Sequence, residues 1–194
     1  MTEATETLNL QDIPAIPDLS GIADPTGGGS FEKFGPGWYA GEILESRTRT
    51  DKTGNESTFA SDDLPSQSGD SRNIRLQVAV TRASDKAVNH YSLRMNYRPE
   101  DLTTETVQQI TAQMEAVKNG EQWGSLFRPF MVLNRLSKLQ KIAGVRQLQR
   151  NGNGGLDLHP TFGKKGYFRL APQKDKPEYL EIADFRETAP KKVL

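Results

Sequence analysis

The sequence contains no cysteine and only two histidines, and both scarcities limit its chemistry. Without cysteine there are no disulfides, no thiolate metal ligands and no thiol nucleophile. The histidines, His90 and His159, lie on different predicted elements, so we expect no histidine-based zinc site. There is no GxxxxGK[ST] phosphate loop and no GxSxG nucleophile elbow. We therefore expect a protein that is not an enzyme and uses no cofactor or metal.

Acidic pairs such as Asp62-Asp63 leave one catalytic alternative open, because paired carboxylates can hold magnesium. We interpret Asp62-Asp63 as loop solvation. A metal-dependent nuclease is therefore a distant alternative.

Long apolar runs are also missing. No segment approaches the roughly 18 to 20 apolar residues of a membrane span. The first residues include acids, unlike a secretory signal. Hydrophobic residues make up only 35% of the 194 residues, which predicts a modest core with disordered segments. We expect a soluble, cytoplasmic protein.

The formal net charge is zero, but the charge is unevenly distributed. The first 36 residues hold six acids against Lys33. Residues 134–176 hold ten lysines and arginines against two aspartates. A chain that is neutral overall can therefore still attract phosphates through its second half. The alternative is that these basic residues only solvate surface faces.

Residues 1–35 predict a disordered acidic leader, since they are rich in proline and glycine. Six apolar residues recur within it every two or three positions. They could form a docking segment that folds on a partner or on its own domain, or be isolated apolar residues in a disordered tail. The apolar residues are Leu8, Leu10, Ile13, Ile16, Leu19 and Ile22.

Residues 36–187 predict one mainly β domain with a helical insert (α+β), followed by a short tail at 188–194. Alternating apolar and polar residues indicate strands, most clearly at Ile74, Leu76, Val78 and Val80. A long flexible loop is expected over 47–71, where apolar residues are almost absent. Two helices are expected within 101–150. The five predicted strands are Trp38–Ser46, Arg72–Arg82, Val88–Tyr97, Lys164–Ala171 and Glu178–Glu187.

Five strands with helix between the third and fourth are the layout of an OB-fold, a five-stranded antiparallel barrel that often binds single-stranded nucleic acid. Such binding combines a positive groove with aromatic rings on which bases stack. Tyr167 between Lys165 and Arg169 is the best local instance, unless the ring is partly buried. The predicted binding residues are Arg47, Arg49, Lys52, Arg75, Gln77, His90, Arg94, Lys165, Tyr167 and Arg169.

Two short segments carry a resemblance to a known family. Gly37-Trp38-Tyr39-Ala40-Gly41-Glu42-Ile43 is similar to the opening strand of phage-encoded single-stranded-DNA-binding proteins. Gly163-Lys164-Lys165-Gly166-Tyr167-Phe168-Arg169-Leu170 is similar to a strand near their end. The resemblance implies an OB-fold and a non-catalytic role in DNA replication or recombination, in the cytoplasm of a bacterial host.

Many proteins of that family end in an acidic tail that recruits replication partners, whereas this chain ends Ala189-Pro190-Lys191-Lys192-Val193-Leu194. The acidic leader is then the better candidate for recruiting replication or recombination proteins. The alternative function is a virion or protein-interaction barrel that binds no nucleic acid. The neutral net charge and the acidic leader favour that alternative.

Overall fold

The computed structural model describes residues 34–194, so the predicted leader lies almost entirely outside the described residues. The described part is mainly β, with eight strands and two α-helices. Five strands lie where the sequence predicted them, and three short ones were not predicted. In chain order the strands are β1 Gly37–Leu44, β2 Ser46–Thr50, β3 Glu56–Ala60, β4 Asp62–Pro65, β5 Arg72–Thr81, β6 Val88–Tyr97, β7 Lys165–Pro172 and β8 Leu180–Arg186; the helices are α1 Thr104–Lys118 and α2 Phe127–Ala143.

The main sheet is antiparallel and is centred on β5 and β1. One edge of β5 pairs with β6 along its whole length. The other edge is shared, because β4 pairs with its first residues and β1 with its last. β7 pairs with the second edge of β1, and β8 pairs with β7. Within residues 34–194, β6 and β8 approach each other but are joined by no ladder.

The core lies on one face of this sheet, as the alternation predicted. Ile74, Leu76, Val78 and Val80 are each at most 1% exposed. Gly41 allows close packing within β1, because a Cβ there would lie 2.7 Å from the Ala79 carbonyl oxygen. The four buried side chains of β5 therefore fix which face of that strand is internal.

The two predicted helices are confirmed. Thr103 caps α1, since its hydroxyl accepts the Thr106 amide at 3.2 Å, and Gly144 ends α2 in the left-handed conformation with φ of 70°. α2 buries Leu136 and Leu139 in the core, whereas α1 buries only Ile110. No helix in the described range is long and apolar enough to cross a membrane.

The predicted long loop over 47–71 is wrong, because β2 and β3 form a two-stranded hairpin and β4 joins the main sheet. The hairpin lacks an apolar face, so it gives no hydrophobic alternation in the sequence. Its turn is organised by Asp51, whose carboxylate accepts the backbone amides of Thr53 and Asn55. Hydrogen bonds from the Thr53 hydroxyl and both amides lower the pKa of Asp51 to about 2.

Ser61 attaches this hairpin to the sheet at the junction between β1 and β4. Its hydroxyl donates to the Leu44 carbonyl at 2.5 Å and accepts the Gln77 amide at 2.8 Å. One side chain thus satisfies two backbone groups at the last pair of the β1–β5 ladder, Leu44 and Gln77. The hairpin therefore projects from a fixed point beside the middle of β5.

Candidate functional site

Two arginines lie side by side on the outer face of the sheet. Arg75 of β5 and Arg94 of β6 are paired in register. Arg94 is exposed, and the Arg75 side chain is 39% exposed. Like charges placed directly opposite each other in a sheet are destabilising. An anion bound over the pair would relieve this repulsion.

Asp62 offsets part of this charge. It pairs in register with Arg75 from the other side, and its carboxylate lies 3.8 Å from Arg75 Nε. The row across β4, β5 and β6 therefore contains one carboxylate and two guanidinium groups, and Arg94 lies on the side away from the carboxylate. The row keeps a net positive charge.

The β2–β3 hairpin adds further basic residues beside this row. Arg47 Nη1 donates to the His90 carbonyl oxygen at 3.3 Å, which holds the hairpin against β6. Arg49 lies two residues further along β2 on the same hairpin face and is exposed. Lys52 lies in the exposed turn. The structure therefore brings Arg47, His90, Arg75 and Arg94 into one region, with Arg49 and Lys52 further out on the hairpin.

Phe59 is a functional candidate that the sequence prediction missed. It pairs in register with Arg47, and although it is aromatic it is 39% exposed. The ring is therefore available for stacking and has Arg47 beside it. The only signal in the sequence was a single aromatic residue within a long polar segment.

Gln77, predicted to lie on the wet face, is buried at 2% exposure, so this prediction is wrong. The Gln77 backbone amide donates to Ser61 at the base of the hairpin, and Arg47 of the hairpin donates to the His90 carbonyl oxygen on β6, the neighbouring strand. Gln77 is covered at the base of the hairpin, where its Oε1 accepts the Ser92 hydroxyl at 3.1 Å. Its Oε1 therefore contributes to the local structure, whereas its Nε2 is buried without a hydrogen-bond partner.

Tyr167 is also misassigned by the sequence prediction, because its ring is only 4% exposed. The neighbouring cations do share its face of β7: Arg169 is exposed and Lys165 is half-buried. Burial raises the pKa of the Tyr167 hydroxyl. A ring this buried cannot serve as a stacking platform for a base.

The Arg186 side chain explains why Tyr167 is covered. Its guanidinium lies 4.2 Å from the centre of the Trp38 ring. Arg186 belongs to β8 and Trp38 to β1, and β7 lies between them. To reach the ring, Arg186 must cross β7 beside Tyr167. The cation–π contact therefore occupies the place where a base would have to stack.

A cleft of about 460 Å³ continues the surface beyond Arg94. It lies where β6 and β8 approach without pairing, and Arg135 of α2 also lines it. Gln173 and Leu180 contribute the two ends of the β7–β8 connection, in which Tyr179 is 58% exposed. The cleft places α2 and this connection beside the arginine row.

We searched residues 34–194 for side chains that could together bind a metal ion. No group of three or more acidic or histidine side chains there could hold an ion. His159 Nδ1 lies 2.7 Å from the Asp157 carboxylate, and this hydrogen bond lowers the pKa of Asp157.

Compared with known proteins, the chain matches no family model and no curated protein.

Proposed function

We propose that this protein binds single-stranded DNA without catalysing a reaction, in DNA replication or recombination. The observation that carries the proposal is the exposed pair Arg75–Arg94, in register on the sheet and flanked by the hairpin with Arg47 and Phe59. Guanidinium groups bind phosphate in a bidentate manner, and aromatic rings stack on bases. Both requirements of a single-strand binder are therefore met within one surface.

An OB-like barrel is the fold that we propose for this domain. An OB-fold is a partly open five-stranded barrel that binds oligonucleotides on its second and third strands and beside its first and fourth connections. The long strands here follow the order β6-β5-β1-β7-β8, and α1 and α2 lie between β6 and β7. In that frame β5 and β6 are the second and third strands. The hairpin is part of the first connection, and Tyr179 is in the fourth.

Single strands are favoured over duplex by the position of Phe59. Stacking on a protein ring requires a base that is free of its own neighbours, at roughly 1–3 kcal/mol per base. A duplex offers phosphates to Arg75 and Arg94 but no free base face to Phe59. The surface therefore has a reason to prefer unpaired DNA.

Fluorescence anisotropy with labelled oligo(dT) tests this proposal. We expect binding at low salt that weakens as salt rises, because bound phosphates release counterions. An unlabelled duplex of equal length should compete poorly. Absence of binding at low salt, or equally tight binding to duplex, would contradict the proposal.

A protein-interaction module is the second candidate, and exposed apolar side chains on the helical insert favour it. Phe127 and Met131 of α2 are 53% and 40% exposed, and Val107 and Met114 of α1 are each 41% exposed. Size-exclusion chromatography with light scattering would support this candidate if the protein assembled without nucleic acid and failed to bind oligo(dT).

A further inference from the structure

The start of α2 borders an apolar groove of about 300 Å³. Its floor is formed by core residues at the end of the β5–β6 ladder, including Met95 and Tyr97. Its rim carries Phe127 and Met131, which are 53% and 40% exposed. Exposed apolar side chains grouped around an apolar groove are typical of an interaction site.

Basic residues flank this groove. Arg128 and Arg135 both line it, while the described residues that line it include no aspartate or glutamate. An occupant that combines apolar side chains with nearby acids would therefore match it in shape and in charge.

Residues 10–22 have this composition. Leu10, Ile13, Ile16, Leu19 and Ile22 recur at intervals of three residues. The polyproline II helix has three residues per turn, so this spacing predicts one apolar face along the whole segment. The segment also contains Pro14-Ala15-Ile16-Pro17, a PxxP sequence of the kind that docks in aromatic-lined grooves.

Acids accompany these anchors. Asp12 and Asp18 lie next to Ile13 and Leu19, on other faces of such a helix. They could approach Arg128 and Arg135 while the apolar face enters the groove. The charges of the segment and of the groove rim are therefore complementary.

The connecting chain is long enough to reach. The ring of Phe34, the first described residue, lies 6.4 Å from that of Tyr91 on β6. Met95 lies four residues further along this strand, which is about 14 Å. Residues 23–33 can span roughly 36 Å when extended. The segment can therefore reach the groove of its own chain.

We propose that residues 10–22 dock in this groove of the same chain as a polyproline II segment, with Ile13 and Ile16 as central anchors. This inference does not depend on nucleic-acid binding. It gives the exposed apolar side chains of α2 an occupant within the same molecule.

A nitroxide label tests the docking in the full-length protein. Because the chain has no cysteine, Ser20→Cys creates a single labelling site between two anchors. We expect the label to broaden the amide NMR signals of residues 127–136. The double variant Ile13→Ser/Ile16→Ser should lose this broadening, whereas Ala15→Ser, which leaves every anchor in place, should retain it.

Substitutions of residues that line the groove form the second part of the test. Phe127→Ser should abolish the broadening, and Met114→Ser, which removes another exposed apolar side chain from α1, should not. Unchanged chemical shifts of the core would show that both variants fold. Absence of broadening at 127–136 would overturn the proposal. So would equally strong broadening when spin-labelled chains without isotope are mixed with isotope-enriched chains without the label, since the occupant would then be a second copy.

Discussion

The Asp63 carboxylate accepts a hydrogen bond from Arg72 Nε at 3.0 Å, and its side chain is completely buried. Its other oxygen accepts the Tyr97 hydroxyl and the Leu156 amide, each at 2.6 Å. One carboxylate therefore joins β4, β5, β6 and the segment that follows α2. This network fixes the end of β5 from which Arg75 projects.

Replacing Asp63 with asparagine should destabilise the fold by about 3–5 kcal/mol, because the Arg72 charge would remain buried without a counterion. Urea unfolding followed by circular dichroism measures this change. Asp62→Asn is the matched control: its partner Arg75 is partly exposed, so we expect a change below about 1 kcal/mol. If Asp63→Asn and Asp62→Asn lowered the free energy of unfolding equally, burial of the Asp63–Arg72 pair would not contribute to stability.

Tyr97 should make stability sensitive to alkaline pH. Burial, and secondly its hydrogen bond to the Asp63 carboxylate, raise the pKa of Tyr97 well above its ordinary value of 10.0. The folded state therefore favours the neutral phenol. The resulting stability is fully present below pH 10 and is lost as the pH rises above it.

Urea unfolding at about pH 8 and about pH 11 tests this dependence on Tyr97, since the interval spans the ordinary tyrosine pKa. Tyr97→Phe should lose less stability over this interval than the wild-type protein. The stability of Tyr97→Phe should still depend on pH to some extent, because burial also raises the pKa of Tyr91 and Tyr167. Tyr179→Phe, at an exposed position, should behave like wild type. An unchanged pH dependence in Tyr97→Phe would refute this assignment.

Lys86, in the turn between β5 and β6, has a left-handed backbone with φ of 60°. This conformation is strained for a residue with a Cβ atom and is unstrained for glycine. Lys86→Gly should therefore raise the free energy of unfolding by about 0.5–1 kcal/mol. Ser84→Gly in the same turn, where φ is not positive, should lower it slightly. A loss of stability in Lys86→Gly would contradict this explanation.

Phe59 should account for a measurable part of DNA binding. Removing its ring by Phe59→Ala should weaken oligo(dT) binding by about 1–3 kcal/mol, the value of one stacked base. Anisotropy titration measures the change. Val107→Ala removes a comparably exposed side chain from α1 and should leave binding unchanged. If both variants bind like wild type, Phe59 is not a stacking platform.

The sequence allows the central strands to be predicted because each of them has one face in the core. Ile74 to Val80 alternate cleanly, and β6 was predicted with its observed limits, Val88–Tyr97. The β2–β3 hairpin could not be predicted in this way, since its stability depends on polar contacts such as the Thr48–Thr58 hydroxyl pair at 3.2 Å. A strand that buries no apolar face has no hydrophobic period.

The site was only partly predictable, because alternation assigns a face of the sheet but does not show what covers that face. Arg75 and Arg94 are on the outer face as predicted and remain accessible. Gln77 and Tyr167 are on the same face, yet both are buried. Arg47 and Arg186 contact groups on other strands, the His90 carbonyl oxygen and the Trp38 ring, and these tertiary contacts leave no period in the sequence. Asp63 was interpreted as solvated for the same reason.

The salt dependence of oligo(dT) binding tests the central claim most directly. Plots of log Kd against log salt should be linear for the wild-type protein, with a slope proportional to the number of phosphates bound. Arg94→Ala should reduce that slope by about 0.7 for each phosphate it contacts, and Arg75→Ala should do the same. Lys118→Ala, on α1, should leave the slope unchanged. Equal slopes in wild type, Arg75→Ala and Arg94→Ala would show that DNA does not bind on this face.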